Sequence, residues 1–275
     1  MWHDIDGSAR RGGRRQNLRI TVKVGTSTLA HPTGHLNIRR VERLCKVLSD
    51  LKNAGHELIF VSSGAIAMGV GKLGLRERPR EMSAKQAAAA VGQCELMYVY
   101  DKLFAEYNHV AAQVLLTGDD LRDAGRRRNI QNTLFRLLEM GAIPIVNEND
   151  TIATEEIAVG DNDTLGAIVA EAAHADLLVL LSDIDGLYTA NPHTDPNARL
   201  IETVEALTPE IQALAGGAGS PLGTGGMATK LNAARIATEA GIEMVITNGA
   251  KPEVLYDIAE GKRVGTRFLA KEADT

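Results

Sequence analysis

From Leu18 onward, short runs of β-branched and aliphatic residues alternate with longer segments whose apolar residues recur at helical spacing. This alternation leaves few folds open, because parallel strands need crossover connections and those crossovers cover the sheet with helices. Strands are expected at Arg19 to Val24, Glu57 to Val61, Ala111 to Leu116, Ile143 to Val146, Leu177 to Leu181 and Glu243 to Thr247. Between the first two, Ile38, Val41, Leu44, Cys45, Leu48 and Leu51 form one apolar stripe that Gly55 closes, which predicts a crossover helix. Further helices are expected from Ser83 to Tyr107, Arg126 to Met140, Thr164 to His174 and Met227 to Ala240, with Gly141 and Gly241 ending two of them. The fold class is therefore α/β, a three-layer αβα sandwich around a central, mostly parallel sheet.

With 275 residues, 44% of them hydrophobic, the chain can build one large α/β domain. A net charge of -5 argues against a basic surface made to neutralise nucleic-acid phosphates. The two cysteines, Cys45 and Cys94, lack CxxC spacing and fall in helical patterns, which excludes a disulfide framework. The sequence has no apolar run long enough to span a bilayer and no secretory apolar region near its start, so a cytoplasmic protein without membrane partners is expected. The Asn-x-Thr triplets at Asn149 and Asn162 then need an explanation other than glycosylation. Residues 1–17, with Arg10, Arg11, Arg14 and Arg15 and few large apolar side chains, read as a disordered extension preceding a domain over 18–275.

Three stretches interrupt the strand–helix rhythm: Asp150 to Asp161, Asp183 to Leu200, and the glycine-rich run from Gly216 to Gly226. Irregular insertions at the carboxyl ends of strands commonly carry ligands or act as lids. Two earlier loops, Val24-Gly25-Thr26-Ser27 and Ser62-Ser63-Gly64-Ala65, each leave a strand and lead toward a helix. Small residues there admit close approach of an anion to backbone N–H groups, and two such loops on neighbouring strands share one crevice. In Gly223-Thr224-Gly225-Gly226-Met227-Ala228-Thr229-Lys230, a lysine sits just inside a helix that begins beneath glycines, a pattern that a simple hinge does not predict. The sequence contains neither a GxxxxGK[ST] loop nor the HRD and DFG elements of protein kinases.

Asn147-Glu148-Asn149-Asp150 ends one strand and Gly160-Asp161-Asn162-Asp163 opens a helix. A calcium loop is ruled out there, because Leu165 and Ala172 occupy positions that need oxygen ligands. Single Asn or Asp residues at such places usually cap helices or form turns, so the density of the cluster carries the functional argument.

Taken together, Val22-Lys23-Val24-Gly25-Thr26-Ser27, Ser63-Gly64-Ala65, Val146-Asn147-Glu148-Asn149-Asp150, Gly160-Asp161-Asn162-Asp163 and Gly225-Gly226-Met227-Ala228-Thr229-Lys230 resemble the glutamate 5-kinases of the amino-acid kinase superfamily. The resemblance runs from about Leu18 to Phe268. Many bacterial members continue into a C-terminal PUA domain, whereas this sequence, ending at Thr275, looks like the shorter forms. Ser62 and Ser182 stand where related sequences often have Thr.

What the resemblance implies is ATP-dependent phosphorylation of the γ-carboxylate of L-glutamate, with Mg²⁺, as the first step of proline biosynthesis. The N-terminal half would hold the amino acid and the C-terminal half ATP. By the same resemblance Lys23, Lys230 and Asp163 are catalytic, the lysines clamping phosphoryl charge and Asp163 holding them. Ser63, Asn147, Asp150 and Asn162 would bind the substrate. Lys23, Gly25, Ser182, Asp183, Thr224, Gly225, Gly226, Met227, Ala228, Thr229 and Lys230 match ATP-binding positions, and no side chain is assigned as a metal ligand. Residues 151–159 would form a lid, L-proline would be a feedback inhibitor, and a homo-oligomer, dimer or tetramer, is implied. Another carboxylate or carbamate kinase of the superfamily, or a non-catalytic nucleotide or proline sensor, stays open as an alternative.

Overall fold

Successive apolar residues of the central strands point to opposite faces, so the sheet needs cover on both sides. On the first strand, Ile20, Val22 and Val24 belong to one buried cluster. On the strand Leu177–Ser182, Leu177, Val179 and Leu181 join that same cluster, while Leu178 and Leu180 pack on the opposite side.

The computed structural model describes residues 17–31, 33–152, 161–192, 194–215 and 226–271. After β1 (Arg19–Val24) come the helices α1 (Thr26–Leu29) and α2 (Ile38–Asn53), then β2 (Glu57–Val61), α3 (Ala65–Lys72), α4 (Met82–Ala105) and β3 (Ala111–Leu116). They are followed by α5 (Gly118–Arg122), α6 (Ala124–Glu139), β4 (Ile143–Glu148), α7 (Asn162–Ala172) and β5 (Leu177–Ser182). The chain continues with β6 (Thr203–Val204), α8 (Pro209–Ala213), α9 (Met227–Glu239), β7 (Glu243–Asn248), α10 (Val254–Ala259) and β8 (Thr266–Phe268).

These strands form one eight-stranded sheet in the order β3-β4-β2-β1-β5-β7-β8-β6, parallel throughout except where β7 meets β8. Helices α2, α4 and α10 pack on the face carrying Ile20, Val22 and Phe60. On the other face α6 and α7 cover Ile59 and Val61, and α7 and α9 cover Leu178 and Leu180. Sequence positions read as strands extend slightly further here: β4 runs to Glu148 because Leu116 pairs with it, and β5 and β7 end together at Ser182 and Asn248. The short strands β6 and β8 were not expected. The predicted N-terminal extension lies, up to residue 16, outside the described residues.

Chain order places the functional crevice. From β1 the chain moves to β2 on one side, then returns to add β5 on the other, so the strand order switches direction around β1. At such a point the loops at the carboxyl ends diverge and leave a cleft. Gly25 follows β1 there, and its N–H donates to Leu181 O of β5 at 3.2 Å.

Candidate active site

Lys23 projects from β1 toward the α7 face, opposite to Val22 and Val24. Room for its stem comes from Gly166 of α7, where an added Cβ would lie 3.3 Å from Lys23 Cβ. Asp163 enters from the first turn of α7, whose start is fixed by Asp161 accepting from Thr164 N at 2.7 Å. Lys230 comes from α9. The three meet on one carboxylate: Lys23 Nζ is 2.5 Å from Asp163 Oδ1, and Lys230 Nζ is 3.1 Å from Oδ2. All three are buried.

Burial works against the ionised form of Asp163, but the two ammonium charges and their hydrogen bonds outweigh it and hold the carboxyl below its ordinary range. One carboxylate thus holds two cations at a fixed spacing. Thr229 Oγ1 lies 2.9 Å from Asp163 Oδ2 and 2.8 Å from Gly226 O, two acceptors that share its one hydrogen, which ties the first turn of α9 to the same carboxylate.

A second polar group adjoins this centre. Asn162 Nδ2 lies 2.8 Å from Ser62 O, 2.9 Å from Ser63 Oγ and 3.0 Å from Asn147 Oδ1. Asn147 Oδ1 also accepts from Glu148 N at 2.9 Å. Asp150 stands just beyond β4, and burial, with a smaller push from Glu148 against a pull from Arg78, raises its pKa to about 6.

Glycines define the approaches. Gly64, at φ 90°, turns the chain from Ser63 into α3, and Gly226 caps α9 with no side-chain hydrogen bond to its first N–H groups. Gly25 leaves space before the Lys23 ammonium, where a Cβ would stand 3.9 Å from Nζ. These features suit the phosphates of a nucleotide. At the end of β5, Ser182 Oγ donates to Asp183 Oδ1 at 3.1 Å.

Among the described residues no group of three His, Cys, Asp or Glu side chains could hold a metal ion. Asp163, already engaged by two lysines, does not fit that role, and the described residues offer no protein cage for Mg²⁺.

A family model described as the amino acid kinase family matches residues 19–248. The chain belongs to the amino acid kinase family. Within that family it is similar to a glutamate 5-kinase of Clostridium perfringens, 52% identical over 94% of this chain and 98% of the relative. A glutamate 5-kinase of Clostridium acetobutylicum is 56% identical over 92% of this chain and 95% of the relative. Carbamate kinase from Giardia lamblia bound to AMP-PNP shares the fold, with a TM-score of 0.65 at 16% identity, covering 93% of this chain and 99% of that one.

Of the residues singled out in this amino acid kinase sequence, Lys23, Asp163 and Lys230 come together, as do Ser63, Asn147 and Asn162. Thr224 and Gly225, and residues 153–159 of the expected lid, lie outside the described residues. The hydroxyl of Thr229 is directed at Asp163 and Gly226 O, which leaves its backbone N–H, with those of Met227 and Ala228, for an anion. Sequence reading missed Gln93 and Tyr100 of α4, which back the polar cluster: Asn147 Nδ2 donates to Gln93 Oε1 at 2.9 Å, and Tyr100 Oη lies 2.8 Å from Ser62 Oγ.

Proposed function

We propose that this chain transfers the γ-phosphoryl group of ATP to the side-chain carboxylate of L-glutamate, giving an acyl phosphate and ADP. The observation that carries the reading is the pair of buried lysines fixed on Asp163 beside the Ser63, Asn147 and Asn162 cluster.

A glutamate side chain ionises near pH ~4.3, so at neutral pH the nucleophile needs no general base. The difficulty is electrostatic, since an anion must approach an anion. A carboxylate oxygen attacks the γ-phosphorus, the bond to the bridging oxygen breaks, and that electron pair leaves on ADP. Lys23 and Lys230 stabilise the charge that spreads over the phosphoryl oxygens. Asp163 keeps both ammonium groups placed before substrate arrives, so little reorganisation is left for the reaction itself.

Asp150 supplies the counter-charge for the substrate ammonium, while the Ser63 hydroxyl addresses its α-carboxylate. The N–H groups at the start of α9 and the Gly25 loop receive the triphosphate. Mg²⁺ would arrive with the nucleotide, held mainly by phosphate oxygens, and would neutralise part of its charge. L-proline, with a similar head group and no side-chain nucleophile, would occupy the same pocket without reacting. On this reading the reaction runs in the cytoplasm as the opening step of proline biosynthesis, in a homo-oligomer.

Initial rates of ADP release with glutamate, aspartate and N-acetylglutamate test the reading. Glutamate should support turnover far better than the other two; equal or better turnover with either of them would assign another acceptor.

A further inference from the structure

Helix α4 contributes two buried polar side chains on one face, Gln93 and Tyr100, roughly two turns apart. Both reach groups that hold Asn162. Tyr100 Oη lies 2.8 Å from Ser62 Oγ, and Ser62 O accepts from Asn162 Nδ2 at 2.8 Å. Gln93 Oε1 accepts from Asn147 Nδ2 at 2.9 Å, and Asn147 Oδ1 accepts from Asn162 Nδ2 at 3.0 Å.

The polarity of this chain is fixed. A backbone N–H can only donate, so Glu148 N requires the oxygen of Asn147 to face it. The Asn147 nitrogen must then face α4, and Gln93 must present its oxygen. Asn162 must in turn direct its nitrogen at Asn147, which also brings that nitrogen to Ser63 Oγ at 2.9 Å. Asn162 Nδ2 has two hydrogens to share among Ser62 O, Asn147 Oδ1 and Ser63 Oγ, and an amide nitrogen accepts none, so the Ser63 hydroxyl cannot donate to it and keeps its own hydrogen for another partner.

Close packing prevents α4 from moving independently of the Ser63 turn. A Cβ on Gly69 would meet Ala88 O at 1.8 Å, and one on Gly92 would meet Ala65 O at the same distance, so α3 and α4 touch through their backbones. Helix α3 begins directly after Ser63 and Gly64.

We infer that α4 is the positioning element of the amino-acid pocket, with Gln93 acting through Asn147 to direct the Ser63 hydroxyl at the substrate carboxylate. This rests on the proposed reading that the Ser63 cluster binds the amino acid. Gln93 is a positioning residue, because it acts through Asn147.

The test compares Gln93→Leu, Asn147→Ala and the double variant in the full chain. Q93L should raise the glutamate KM about tenfold, the effect of roughly one well-placed hydrogen bond, with the ATP KM and kcat within about twofold of the parent. In the Asn147→Ala background the same change should add nothing further. Gln93→Met, which removes the acceptor at similar length and volume, carries the same coupling test if Q93L does not fold. An unchanged glutamate KM, additive effects in the double variant, or equal changes in the ATP KM would overturn the inference. Failure of the parent enzyme to use glutamate would instead overturn the functional reading.

Discussion

Lys23 and Asp163 form a buried ion pair 2.5 Å long whose two members come from β1 and from the first turn of α7. Lys230 occupies the other oxygen of the same carboxylate. On the proposed mechanism, removing either lysine takes a positive charge from the place where phosphoryl charge develops. Lys23→Ala and Lys230→Ala should each lower kcat on the order of a hundredfold or more, with a much smaller effect on the glutamate KM. Steady-state kinetics of both variants check this, and near-parental kcat in either one removes that lysine from the proposed role.

Neutralising Asp163 leaves two buried ammonium groups facing one another. Asp163→Asn should destabilise the ligand-free protein by roughly 3–5 kcal/mol, and ATP should recover part of the loss by supplying negative charge. Because the folded-state pKa of Asp163 is depressed, its contribution is present above the unfolded carboxyl pKa and is lost as pH falls through the folded value. Thermal melts with and without ATP measure both effects. Equal destabilisation in the two conditions would argue against a shared charge balance.

Asp150 has its pKa raised to about 6 by burial and by Glu148. It is ionised above that pH and protonated below it, so the glutamate KM should rise as pH falls through about 6. At pH ~5 roughly a tenth of the sites would remain ionised, which predicts a KM about tenfold higher. Asp150→Asn should have a high KM that no longer follows this pH dependence. A pH profile shared by parent and variant would assign the break to another group.

Gly166 separates two effects that usually travel together. Alanine is the better helix former by up to about 1 kcal/mol, yet its Cβ would press on the Lys23 stem at 3.3 Å. Gly166→Ala should therefore lower kcat about tenfold without lowering the melting temperature. Loss of activity together with stability would point to general disruption of α7.

The central strands were legible because β1, β2, β4, β5 and β7 are short aliphatic runs bounded by polar or glycine-rich turns. Strands β6 and β8, only two and three residues long, carry too little pattern to be read, and they form by pairing with one another and with β7. The charged and amide residues of the site could be picked out by their density after strands and before helices. Gln93 and Tyr100 could not, because within α4 they read as parts of an apolar helix. Their roles depend on Asn147 and Ser62, which fold against them from other elements.

Proline should compete with glutamate if Ser63 and Asp150 hold the head group of both. Initial rates over a glutamate series at fixed proline should then show inhibition that saturating glutamate relieves. A reduced maximal rate at saturation would indicate a separate proline site.

The most direct measurement follows the oxygen that joins glutamate to phosphorus. Glutamate labelled with ¹⁸O in its side-chain carboxylate is turned over with ATP, and the product is trapped with hydroxylamine, which attacks the acyl carbon and releases phosphate. Transfer to the carboxylate predicts one ¹⁸O atom in that phosphate, whereas unlabelled phosphate would show that the γ-phosphoryl group had gone to water instead.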